Sequence, residues 1–257
     1  MNRNLAVLFI FCISLSGQAI SQTDSANTAA IISQSGKTGT KWYKTRVFKA
    51  FAVPTVLIGY GVSCIQNHGF YSSYQLHADM RKNISFKRTH IDDYLIYAPY
   101  AELILLNAFK VKCKNDFINT ALLTVKTELF MVALTFPVKH LTHIQRPDSA
   151  NPGRYMSFPS GHTAQSFAAA SIVHKEFKHK SVWYGVGAYT IATSVGVFRM
   201  LNNRHWESDV FAGAGFGILS AHLAYLTHRN RWGRKCDLSL IPMYNRGCSG
   251  LAMSMKF

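Results

Sequence analysis

The stretch Ser157-Phe158-Pro159-Ser160-Gly161-His162-Thr163 runs straight into residues 164–173, AQSFAAASIV. Proline, serine and glycine make a bend, and the alanine-rich run after them has the composition of a helix. Two readings of the junction stand side by side. It is a capped helix start with an incidental histidine, or an anion-binding helix N-terminus with an acid/base group beside it. In the second reading Ser160 and Gly161 let backbone N–H groups point at a ligand. The helix end adds its unpaired N–H groups and the positive end of its dipole, and Ser160 adds a hydroxyl.

Two further blocks of unusual polar residues flank this junction. Downstream is RMLNNRHWESD, residues 199–209. His205 and Asp209 are four apart, which puts them on one face of a helix. A carboxylate that takes a hydrogen bond from one imidazole nitrogen fixes the tautomer and leaves the other nitrogen free to attack. Arg199 offers a guanidinium fork that suits phosphate. The plainer reading is a surface His–Asp pair worth a few tenths of a kcal/mol, about 0.2–0.5. The residues after Asp209, VFAGAGFG, are small enough for close helix packing. Upstream is KHLTHIQRP, in which Lys139 closes an apolar helix and Arg146 follows two turns on if that helix continues to Pro147. Its plainer reading is a basic helix end with snorkelling side chains.

Around these blocks the chain reads as all-α. Apolar segments fall at about 48–64, 92–111, 117–139, 163–177, 181–200 and 208–227, separated by basic or polar stretches. They predict a bundle of about six helices over residues 41–230. The last residues, 231–257, alternate apolar and polar and predict a short β-hairpin. Cys236 and Cys248 flank DLSLIPMYNRG, so a bridge between them is plausible if the chain is exported. Residues 181–198 carry no charge over about the length of a membrane span. The 117–139 segment contains Lys126 and Glu128, however, and mean hydropathy is only +0.04. A membrane bundle with imperfect spans is favoured over a water-soluble exported one.

The N-terminus, MNRNLAVLFIFCISLSGQAISQ, has a basic start, an apolar run from Leu5 to Leu15 and small residues before Gln22. It predicts a secretory signal peptide over 1–21, followed by a polar lead-in over 22–40. With 48% hydrophobic residues in 257, a sizeable core is expected. The formal net charge is +16, from 28 Lys and Arg against 12 Asp and Glu. That excess favours anionic partners such as anionic lipid or phosphorylated substrates. No nucleic-acid motif accompanies it, so nucleic acid is not expected as a partner. Oligomeric state is not legible.

Taken together, Lys139-x6-Arg146-Pro147, Pro159-Ser160-Gly161-His162 and Arg199-x5-His205-x3-Asp209 resemble, in order and spacing, the three-part signature of the type 2 phosphatidic acid phosphatase / vanadium haloperoxidase superfamily. The chain departs from the pattern at Phe198, where serine usually precedes the arginine. The resemblance implies that His205 attacks phosphorus, Asp209 orients it, and His162 protonates the leaving oxygen and then activates water. It implies that Lys139, Arg146, Arg199, Ser160 and Gly161 hold the phosphoryl oxygens. No cofactor and no metal are expected, because no acidic cluster suits Mg²⁺ or Zn²⁺. The substrate expected is a lipid phosphate or diphosphate: phosphatidate, undecaprenyl diphosphate or lipid A. A soluble phosphomonoester and vanadate-dependent halide oxidation are the alternatives. The site is expected at the cell membrane, facing its outer side, or free in the periplasm. His140, His143, Asp148 and Arg154 are expected at its mouth, Trp206 in packing, and His222 as a satisfied bundle histidine.

Overall fold

Helix starts in this chain are written by short polar side chains. Asp116 accepts a hydrogen bond from the Asn119 amide at 3.2 Å, Ser160 caps onto Thr163, and Ser181 accepts from the Trp183 amide at 3.3 Å. Each satisfies a backbone donor that the first helical turn leaves unpaired. The computed structural model describes residues 46–69, 71–148 and 155–229, and the backbone alone at 237–245 and 248–256. Among these residues are eight helices: α1 (Arg46–Ser63), α2 (Ser73–Asn83), α3 (Ile91–Leu95), α4 (Ala98–Ala108), α5 (Phe117–Thr142), α6 (Gly161–Phe177), α7 (Val182–Leu201) and α8 (Glu207–Thr227). The expected signal peptide and lead-in, Arg154, and the Cys236–Cys248 pairing lie outside the described residues. The hairpin stays an expectation; there the backbone course alone is given, as two antiparallel stretches, Asp237–Asn245 and Cys248–Lys256.

Three differences from the sequence reading have clear physical causes. Helix α2 was not expected, because its polar sequence SYQLHADMRKN has no apolar stripe. Its signal is the reciprocal cap at its start: Ser72 and Gln75 each bond the other's backbone amide. The single segment at 92–111 is two helices, since Pro99 sits in the first turn of α4, where proline is tolerated, and so marks a new start. Helix α5 ends at Thr142, before Pro147: His143 takes a left-handed conformation with φ of 47° and closes it.

Helix α8 is the hub, packed on α1, α5 and α6, while α6 also packs on α7. The VFAGAGFG run makes this possible. A Cβ on Gly213 would come within 2.6 Å of the Ser160 carbonyl, and one on Gly217 would overlap the Ala164 carbonyl. Only glycine lets α8 approach the start of α6 this closely. Beyond the junction, Ala170, Ile172, Val173 and Phe177 of α6 bury against Leu103, Ala188 and Ala192. Each large side chain there contributes about 1.5–3 kcal/mol. Helices α5 and α8 are long and apolar enough to cross a membrane. The outer face of α5 leaves Leu122, Val125, Leu129, Val132 and Phe136 exposed, Leu129 at 66%.

Candidate active site

Each predicted block reaches the same end of the bundle, and the backbone explains how. The Ser160 amide donates to the Asp209 carbonyl at 2.9 Å, which joins the start of α6 to the first turn of α8. That turn is braced from outside. The Ser208 amide donates to Ser73 Oγ at 3.1 Å, and the Tyr60 hydroxyl donates to Glu207 Oε1 at 2.8 Å. The loop before α6 is tied to the end of α5, because the Ser157 amide donates to the Ile144 carbonyl at 2.9 Å.

His205 lies in the turn before α8 and is 3% exposed. Its Nδ1 is 3.2 Å from Asp209 Oδ2. The same carboxylate oxygen accepts from the Trp206 amide at 2.8 Å and from the Ser157 hydroxyl. Asp209 is itself fully buried in the first turn of α8, where the helix dipole favours a negative charge. With Nδ1 facing the carboxylate, Nε2 of His205 is the nitrogen left for chemistry. Burial pushes His205 down to about 4; Asp209 works against that shift, while the charges of Arg146 and Lys139 add to it. The ring is therefore neutral at neutral pH. Those same interactions bring Lys139 and Arg146 within electrostatic reach of His205.

His162 is the second residue of α6 and stays half-exposed. Its Nε2 is 3.3 Å from Asp93 Oδ1, an ion-pair distance. Burial pushes His162 down to about 4, the charges of Arg199 and His205 in the same direction, and Asp93 and Asp92 oppose them. Arg199 is buried between two carboxylates, Nη1 at 2.8 Å from Asp92 Oδ2 and Nη2 at 3.0 Å from Asp93 Oδ1. Asp92 is buried as well and accepts from Asn202 Nδ2 at 2.9 Å. The sequence reading had Arg199 as a guanidinium fork suited to phosphate, and the structure sets two acids against it. Ser160 is fully buried, and its hydroxyl accepts from Thr163 Oγ1 at 2.9 Å, so it acts as a helix cap. Gly161 opens α6, and a Cβ there would meet nothing within 4 Å.

The flanking residues sort themselves out. His140 and His143 are exposed, His140 with its ring 4.2 Å from that of Phe136. Asp148 is buried and ion-paired to Arg88 at 3.1 Å. Trp206 packs on Tyr74 and His77 and donates its Nε1–H to the Gln145 carbonyl at 2.7 Å. His222 faces Lys175 at 2.9 Å, far along α8. Phe198 packs against Phe86, with ring centroids 6.0 Å apart. The sequence reading gave no role to Ser157, Asp92 or Asp93. The one signal for the last two was a pair of adjacent acids in a strongly basic chain.

Two imidazoles beside carboxylates, with Lys139, Arg146 and Arg199 in electrostatic reach, thus meet at one end of the helical bundle. Residues 122–233, the segment that carries most of it, match the model of the PAP2 superfamily. An 80-residue stretch is 49% identical to the lipid A 1-phosphatase of Porphyromonas gingivalis, covering 31% of this chain. The chain spans about a sixth of the length of that curated relative, 17%. Among solved structures, Aquifex aeolicus LpxE is similar at a TM-score of 0.47 and 19% identity, over 63% of this chain and 98% of that one. A PAP2-type phosphatidylglycerolphosphate phosphatase from Bacillus subtilis is similar at 0.42 and 18%, over 72% of this chain and 100% of its own.

Proposed function

We propose that this chain is a phosphatase that hydrolyses a lipid phosphate or diphosphate through a phosphohistidine on His205. The observation that carries the reading is the pair of carboxylate-backed imidazoles, His205 with Asp209 and His162 with Asp93, that interact electrostatically with each other and with Lys139, Arg146 and Arg199. Nε2 of neutral His205 forms a bond to phosphorus as the bond from phosphorus to the leaving oxygen breaks. His162 gives its proton to that oxygen. Water then attacks phosphorus, His162 takes the water's proton, and the P–N bond breaks to release inorganic phosphate. Acid–base help of this kind is worth ~10²–10⁴-fold. His162 needs a proton for the first step, and the substrate's negative charge favours that proton against the burial and the Arg199 charge that hold the ring neutral. Lys139, Arg146 and Arg199 neutralise charge growing on the phosphoryl oxygens. The open space beside Gly161 lets an oxygen approach the first amides of α6. Ser160 contributes by shaping that helix start.

The lipid class rests on the Porphyromonas gingivalis relative being a lipid A 1-phosphatase and on the apolar outer face of α5. A signal-like N-terminus supports export, with the site on the outer side of the cell membrane. The test is phosphate release by purified protein in detergent from lipid A, phosphatidate, a polyprenyl diphosphate and p-nitrophenyl phosphate. One of the lipids is turned over best, activity persists in EDTA, and His205→Ala releases no phosphate. Loss in EDTA restored by Mg²⁺, or full activity in His205→Ala, would sink the mechanism.

A further inference from the structure

Two adjacent acids on α3 face the site, and they sit in different surroundings. Asp92 is 1% exposed, fixed by Arg199 Nη1 and by Asn202 Nδ2. Asn202 Oδ1 also accepts from the Thr89 amide at 2.9 Å, so this end of α3 is bolted to the end of α7. Asp92 thus accounts for the burial of Arg199. Asp93 is 38% exposed, and its two oxygens do different things. Oδ2 is 3.2 Å from His90 Nδ1, while Oδ1 is shared between Arg199 Nη2 and His162 Nε2. Burial by itself would raise the Asp93 carboxyl, but the His90 hydrogen bond and the charges of Arg199, His162 and Arg204 hold it below the usual carboxylate range. These contacts favour its ionised form.

We propose that Asp93 is a positioning residue for His162: its carboxylate holds Nε2–H and leaves Nδ1 as the nitrogen that carries the proton to and from the reacting oxygens. This rests on the phosphatase reading above. The arrangement is the counterpart of His205 with Asp209, except that the nitrogens are exchanged. The separation of 3.3 Å is long for a hydrogen bond, as such contacts often are until substrate binds. The charged groups facing His162 are Asp92 and Asp93 of α3, Arg199 of α7 and His205 of the turn before α8. Arg199 and His205 oppose its protonation, so the two acids are what favour it.

The role predicts dependence on the leaving group. A nitrophenolate departs without a proton, whereas an alkoxide does not. Wild type, Asp93→Asn and Asp93→Glu are assayed in detergent on p-nitrophenyl phosphate and on a long-chain alkyl phosphate, with kcat and KM measured across pH. Asp93→Asn is expected to lower kcat on the alkyl ester by about 10–100-fold, a part of the ~10²–10⁴-fold that general acid–base help supplies. The loss on the nitrophenyl ester is several-fold smaller. The alkaline limb of kcat on the alkyl ester moves to lower pH, and Asp93→Glu restores part of the rate. Equal losses on both esters, or a rise in KM alone with an unmoved pH profile, would show that Asp93 acts only through Arg199 and overturn the proposal. A wild-type protein that releases phosphate from neither ester removes the phosphatase reading, and this inference with it.

Discussion

His205 is nearly fully buried, and burial sets its charge more than its carboxylate partner does. Its pKa falls from 6.5 to about 4 in the fold, and His162 shifts the same way. Between those values the unfolded chain binds protons that the folded chain does not, so stability rises with pH across that window. Thermal melts in detergent from pH 7 down to pH 4 should therefore show falling stability that levels off below about 4. His205→Gln should flatten part of the slope; an unchanged slope would mean the ring is charged in the fold. At this scale the sequence was readable wherever partners are near in the chain. His205 and Asp209 announce themselves by a spacing of four. Ser157 donates to Asp209 from a loop 52 residues away, and Asn202 reaches Asp92 across 110. No local pattern encodes such pairs; the topology of the bundle brings them together.

Helices declare themselves in proportion to their apolar faces. The strongly apolar α5, α7 and α8 were legible nearly to their ends, and α6 from its bend. Helix α2 was not, being polar throughout and held by its cap and by Ser73, which bonds the start of α8. The most sensitive element contact is α8 on α6. Gly213→Ala puts a methyl against the Ser160 carbonyl, backbone that cannot swing aside. The expected cost is about 1–3 kcal/mol of stability, read as a lower melting temperature. Phosphate release falls with it, because the displaced carbonyl belongs to the residue that starts the His162 helix. Gly161→Ala is the contrast: its Cβ meets no protein atom, so stability should hold while substrate binding weakens.

For the molecule as a whole, the question left open by composition was water or lipid. The exposed apolar side chains of α5 favour lipid, and so does the fate of the charge inside it. Glu128, an objection to a span in the sequence, accepts a hydrogen bond from Tyr100 of α4, which lowers the cost of carrying it among apolar surroundings. After cell breakage the protein should sediment with membranes, resist washing with high salt and come off only with detergent. Recovery in the salt wash would mean that its +16 charge, rather than its apolar surface, attaches it. A different consequence comes from the amide of Ser160 resting on the carbonyl of Asp209. The two histidines ride on one shared joint, so neither helix start can drift in evolution without the other. Chimeras that take these two segments from different homologues should be poor catalysts even when each parent is good.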